Sequence, residues 1–151
     1  MSHESHASQT TSWVTPKWIF DWLGRFDLDP ATFLNHPWPC AIENRFEGGL
    51  DTPWTGRVFL NPPFTSGQIE PFVKRMAEHN NGVLVVAARV ETAWFQDYVF
   101  GAATAIWFPR KRVHFCDRTG VQIKRCGFPS CIAFYEKAPE STPRPGIWWR
   151  Q

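Results

Sequence analysis

The sequence predicts a single α/β domain built on a mainly parallel sheet. Three observations carry this. A chain of 151 residues has the length of one domain. Residues 83–88 (VLVVAA) are six consecutive apolar residues, as expected of a strand covered on both faces. Strand, helix, strand, helix and strand signals then alternate through residues 57–108, the order that produces parallel sheets flanked by helices.

The elements follow in order. Residues 16–24 (PKWIFDWLG) predict a short helix: Pro16 suits the first helical position, Thr15 the cap before it and Gly24 the stop. Residues 25–29 (RFDLD) alternate apolar and polar and then meet Pro30, which predicts a short strand ending in a turn. Residues 31–54 read as irregular. Residues 57–60 (RVFL) predict a buried strand that stops at Asn61-Pro62-Pro63, because two prolines cannot continue a sheet ladder. Apolar residues at 69, 72, 73, 76 and 77 have helical spacing over residues 68–79, and Asn80-Asn81-Gly82 ends that helix. A second helix is expected over 91–100 and strands over 105–108 and 130–135. Between those strands, residues 110–128 read as a basic loop or hairpin around Thr119-Gly120. Residues 1–12 read as a disordered arm, 13–136 as the folded domain and 137–151 as a tail of linker composition closed by Ile147-Trp148-Trp149.

Composition excludes several classes. A chain 43% hydrophobic and 20% charged, with a net charge of +2, is not disordered. It holds no run of about 18 apolar residues that could span a membrane. Residues 1–12 lack the basic and apolar regions of a secretion signal, so reduced thiols and a cytoplasmic location are expected. Cys40, Cys116, Cys126 and Cys131 form no C-x-x-C pair, and no metal site is expected. Aromatic residues make up 16% of the chain, more than a core needs, which leaves surfaces on which flat ligands can stack. Charge is uneven: residues 1–60 hold four Lys or Arg against seven Asp or Glu, and residues 61–151 hold twelve against seven. Arg110, Lys111, Arg112, Arg118, Lys124 and Arg125 cluster within sixteen positions, a footprint suited to a phosphate backbone or, equally, to a solvated hairpin.

The chemistry is concentrated at the ends of two predicted strands. After residues 57–60 comes Asn61-Pro62-Pro63-Phe64. The Asn61 side-chain carbonyl and the Pro62 main-chain carbonyl can accept both hydrogens of a planar amino group. Two such acceptors favour a more tetrahedral nitrogen whose lone pair points at an electrophile, so no strong base is required. Phe64 offers a ring face to a flat base, and the prolines stiffen the loop. At the end of residues 25–29, Asp29-Pro30-Ala31 can hold a nucleoside-like cofactor. No phosphate-binding glycine loop accompanies it, which fits a cofactor without a phosphate chain. S-adenosyl-L-methionine is such a molecule, and its methyl group is electrophilic.

Together with Thr15-Pro16, Gly49-Leu50 and Trp54, Thr92-x-Trp94-Phe95 and Arg112-x-x-Phe115 in that order, these motifs resemble the small phage-type DNA N6-adenine methyltransferases. The likeness runs from Trp13 to about Tyr135. It implies a minimal, single-domain Rossmann-like fold and S-adenosyl-L-methionine as cofactor. It implies that Thr15 and Pro16 line the methionine end, that Asp29, Pro30 and Ala31 contact the cofactor, and that Asn61, Pro62, Pro63 and Phe64 hold a flipped adenine. Gly48 stands where family members often carry Asp, so Glu47 or Asp51 would hold the cofactor adenine, Asp51 being the choice made here. Phe64 replaces the commoner Tyr. Thr92, Trp94 and Phe95 read more simply as a capped helix with two aromatics packed inward, and His36, His79 and His114 are given no catalytic role. The expected activity is transfer of a methyl group to adenine N6 in DNA by base flipping and direct in-line attack, with the basic cluster on the DNA backbone. The alternatives are a methyltransferase of the same fold acting on RNA adenine or protein glutamine, or a non-catalytic single-stranded nucleic-acid-binding module.

Overall fold

A computed structural model describes residues 13–65, 67–124 and 128–151. The arm expected over residues 1–12, and Arg125 and Cys126 of the basic stretch, lie outside the described residues.

Helix α1 (Lys17–Leu23) begins after Pro16, whose extended φ of −64° and ψ of 146° make it the N-cap, and ends at Gly24, whose φ of 80° lets its N–H turn back to the Phe20 carbonyl. Thr15 is therefore not the cap the sequence suggests. Strand β1 (Phe26–Asp29) follows, then β2 (Ala41–Asn44), β3 (Val58–Leu60) and helix α2 (Ile69–His79). Asn80 closes α2 in the left-handed conformation, at φ 54° and ψ 39°. Then come β4 (Gly82–Ala87) and a helical segment that starts as α3 (Ala93–Phe95) and continues as a π-helical turn over Gln96–Phe100. Strands β5 (Ala105–Pro109), β6 (Ser130–Phe134) and β7 (Gly146–Arg150) complete the chain.

The seven strands form one sheet in the order β2-β1-β3-β4-β6-β5-β7. β1 lies parallel to β2 and β3, and β3 parallel to β4. β6 is antiparallel to β4 and β5, and β7 is antiparallel to β5. The sheet is thus mixed: parallel through β4, antiparallel beyond it. The expected mainly parallel sheet holds for the first half only, because β6 inserts between β4 and β5. Residues placed in a tail by composition form β7, an edge strand running the length of β5 from Ala105 opposite Arg150 to Pro109 opposite Gly146. Gly146 is required by that close approach, since a Cβ there would fall 2.6 Å from the Phe108 carbonyl oxygen.

Side chains of β4 alternate between two cores, as the twofold pleat dictates. Val83 and Val85 pack with Ile19 and Leu23 of α1, while Leu84 and Val86 pack with Val73 and Met76 of α2 and with Phe95 and Val99. All six residues of β4 are buried, which accounts for the unbroken apolar run. Thr92 caps α3 by accepting the Phe95 N–H at 3.3 Å, Phe95 is fully buried and Trp94 packs on the same core, so this motif is structural. No described helix is long and apolar enough to cross a membrane.

Candidate active site

Parallel strands bring their carboxyl ends to one edge of a sheet, and loops leaving that edge form the natural cleft. Here β1 ends in Asp29 and its neighbour β3 runs into Asn61, with Leu28 paired to Val58 behind them. A cavity of about 240 Å³ opens at this edge and is lined by Thr15, Asp29, Ala31, Asn61, Pro62, Pro63 and Phe64, together with Trp13, Thr32, Phe33, His36, Phe59 and Arg118.

Asn61 is oriented by its partners. Its Nδ2 donates to the Trp13 carbonyl at 2.7 Å and to the Thr15 hydroxyl oxygen at 3.1 Å. The Trp13 carbonyl can only accept, so the amide nitrogen must face it and the amide oxygen must face the other way. That oxygen, Oδ1, is buried and has no hydrogen-bond partner. A buried acceptor left unpaired costs about 1–3 kcal/mol, and groups of this kind in native structures call for a functional or structural reason. Thr15, expected as a helix cap, instead holds this amide.

Asp29 is almost wholly buried; its Oδ1 accepts the Ala31 N–H at 3.2 Å, and the Cys40 thiol lies 4.0 Å from its Oδ2. Burial pushes its carboxyl up to about 7, against the smaller opposing effect of the Ala31 hydrogen bond. The turn that carries it is braced from below. Gly49 lies so close that a Cβ there would be 1.9 Å from the Pro30 carbonyl oxygen, and the Trp54 indole N–H holds the Gly49 carbonyl at 2.7 Å. The Gly49-Leu50 and Trp54 motif is therefore a support for the Asp29 turn.

Phe64 lines the cavity and also belongs to an aromatic cluster, with ring centroids 4.8 Å from Phe128 and 6.3 Å from Phe115. Phe115 is fully buried and belongs to the core. His36, given no role by the sequence, stacks on Phe33 at 5.1 Å. Its Nδ1 accepts the Trp38 N–H at 3.1 Å, and burial pushes the imidazole down to about 4, so it is neutral with its proton on Nε2 at pH 7. Nothing in the irregular run of residues 31–54 marks it beforehand.

Several expected site residues stand elsewhere. Pro16 and Pro30 are buried outside the cavity lining, as the N-cap of α1 and the partner of Gly49. Asp51 is exposed, closes a turn by donating its N–H to the Gly48 carbonyl at 3.0 Å, and is not brought to the cavity. The basic stretch divides. Arg118 reaches the cavity, with its guanidinium 5.5 Å from the Phe33 ring centroid. Arg110, Lys111 and Arg112 line a different cleft, and Lys124 is exposed. The hairpin expected around Thr119-Gly120 forms, with Cys116 bridged to Gln122. Among the described residues, no group of three or more His, Cys, Asp or Glu is placed to hold a metal ion.

With this geometry in view, comparison with known proteins is decisive for kinship. The model of the DNA N-6-adenine-methyltransferase (Dam) family matches residues 2–144. The chain belongs to the Dam family. Among curated relatives, it is 33% identical over 106 residues to the "DNA N-6-adenine-methyltransferase" of Escherichia phage T1. That alignment covers 63% of this Dam-family chain and 43% of the relative, so the chain spans less than half of the relative's length. No solved structure matches the chain.

Proposed function

We propose that the chain transfers a methyl group from S-adenosyl-L-methionine to the N6 amino group of adenine in DNA. The observation that carries this reading is the orphaned Oδ1 of Asn61, whose Nδ2 is held by Trp13 and Thr15, at the same cavity as Asp29. Family membership supports the activity.

The residues present fit the donor. Asp29 is an acceptor for hydroxyl or amino groups of a nucleoside, Arg118 is the cation among the described lining residues, and the remaining walls are mostly apolar or aromatic. When bound, the sulfonium donor supplies an electrophilic methyl group. Asn61 Oδ1 accepts one hydrogen of the adenine amino group and so recovers the partner it lacks. The Pro62 carbonyl, in a loop stiffened by two prolines, is the second acceptor. Their dipoles would favour a nitrogen whose lone pair is free to take the methyl group, the donor leaving as the neutral thioether and the surplus amino proton passing to solvent. Phe64, met edge-on by Phe115 and at a tilt by Phe128, gives the adenine a fixed ring to lie against. The base leaves the helix stack first, which costs a few kcal/mol.

Purified protein incubated with DNA and donor, followed by digestion to nucleosides, is expected to yield N6-methyladenine. Asn61→Ala is expected to lower kcat by about 10²–10³, the effect of removing one positioned dipole, with binding of S-adenosylhomocysteine retained. Methylation by Asn61→Ala at the parent rate would overturn the assignment.

A further inference from the structure

A second cleft lies apart from the cavity. It encloses about 190 Å³ and is walled by Arg110, Lys111 and Arg112 after β5, by Arg144 from the β6–β7 connection, and by Trp18 of α1. Among the described residues, four cations and no carboxylate line it. Its walls are fixed by the sheet: Pro109 is paired with Gly146, and the Arg110 N–H donates to the Pro145 carbonyl at 2.9 Å. Arg144 sits over Trp18, with its guanidinium carbon 4.0 Å from the ring centroid, a cation–π contact that helps to place the charge.

We infer that this cleft is a phosphate cradle for the backbone of double-stranded DNA beside the flipped base, and that Arg144 completes it. The inference rests on the proposed DNA substrate and gives Arg144 and Trp18 a role that the motifs do not. Arg110, Lys111 and Arg144 set positive charge around one concavity, and an anion seated in it is attracted by all three. Position selects the anion. β5 runs in the same direction as β1 and β3, so the cleft opens on the sheet edge that also carries the cavity. Thr15 lines the cavity and Trp18 lines the cleft, and three residues of chain reach about 11 Å at most. The cleft and the cavity are thus neighbours on one sheet edge, placed for one duplex to lie across both. The basic stretch therefore has two separate roles: Arg110 to Arg112 grip the backbone together with Arg144, while Arg118 belongs to the cavity.

The test is binding of a fluorescently labelled duplex oligonucleotide, without donor, across a range of salt concentrations. For Arg144→Gln, weaker binding is expected, with the slope of log affinity against log salt reduced by about one, while S-adenosylhomocysteine binds as in the parent. Arg144→Lys keeps the charge and is expected to keep the slope, which separates charge from a folding defect. An unchanged slope and affinity in Arg144→Gln would overturn the inference, as would an effect seen with single-stranded RNA and not with the duplex. Loss of slope in a protein that fails to methylate DNA would leave the cradle standing and remove the proposed reaction.

Discussion

On the proposed function, the carboxyl group of Asp29 would make donor binding a proton-linked event. Burial raises it from 3.8 to about 7, so near neutrality it sits at its own midpoint. A nucleoside presenting O–H or N–H groups to this carboxylate binds the charged form and favours loss of the proton. At pH 6 about one molecule in eleven carries the carboxylate, and at pH 8 about ten in eleven. If only the charged form binds, affinity rises about tenfold between these pH values, or about 1.4 kcal/mol. Stability without ligand runs the other way. The folded state keeps this proton where the unfolded chain has lost it, so Asp29 is least harmful below about pH 4. Its contribution then falls as pH rises to about 7, and is level above that. The assay is titration calorimetry with S-adenosylhomocysteine at pH 6, 7 and 8, in buffers of differing ionisation enthalpy to count released protons. Asp29→Asn should flatten both the affinity profile and the proton count. A parent affinity that is constant over this range, or a slope that survives in Asp29→Asn, refutes the reasoning.

Two further outcomes follow from the supports of the site. Thr15→Val removes one of the two acceptors holding the Asn61 amide and is expected to lower kcat by about five- to tenfold, equivalent to roughly 1 kcal/mol, with Thr15→Ser restoring it. Equal kcat in the Val and Ser variants would show that the hydroxyl does not position Asn61. Gly49→Ala must displace the Pro30 carbonyl and with it the Asp29 turn; a loss of at least about 2 kcal/mol in stability and weakened S-adenosylhomocysteine binding are expected, by thermal denaturation with and without ligand. An unshifted melting temperature would mean that the Gly49 contact is not a brace.

What was legible in the sequence is what local chemistry specifies. The run of residues 83–88 shows itself because β4 is covered on both faces, and Asn61-Pro62-Pro63 because prolines must end a strand. β2 and β7 were not legible, since both are edge strands with largely exposed side chains, and they take their strand character from pairing with β1 and β5. The site divides in the same way. Asp29 and Asn61 stand out as polar residues at strand ends, whereas Thr15 and Gly49 act through contacts 46 and 19 residues away along the chain, and no spacing rule announces those. Arg118 and Arg112 look alike as members of one basic run; only the hairpin path sends the first to the cavity and leaves the second at the cleft.

The segment that aims Asn61 is held from loops: the Trp38 indole N–H donates to the Thr15 carbonyl at 2.7 Å, and the Trp13 ring meets Phe115 and Phe128 edge-on. Val14, between the two residues whose oxygens hold the amide, exchanges both main-chain hydrogen bonds with Cys116 at 2.9 Å in an isolated bridge. None of these partners lies in one of the seven strands, so loosening of these loop contacts together would release Trp13 and Thr15 while the sheet stayed paired. On the proposed function, competence is thus a property of loops, distinct from the integrity of the sheet: on warming, catalysis should fade first, in a protein whose far-ultraviolet dichroism still reads as native.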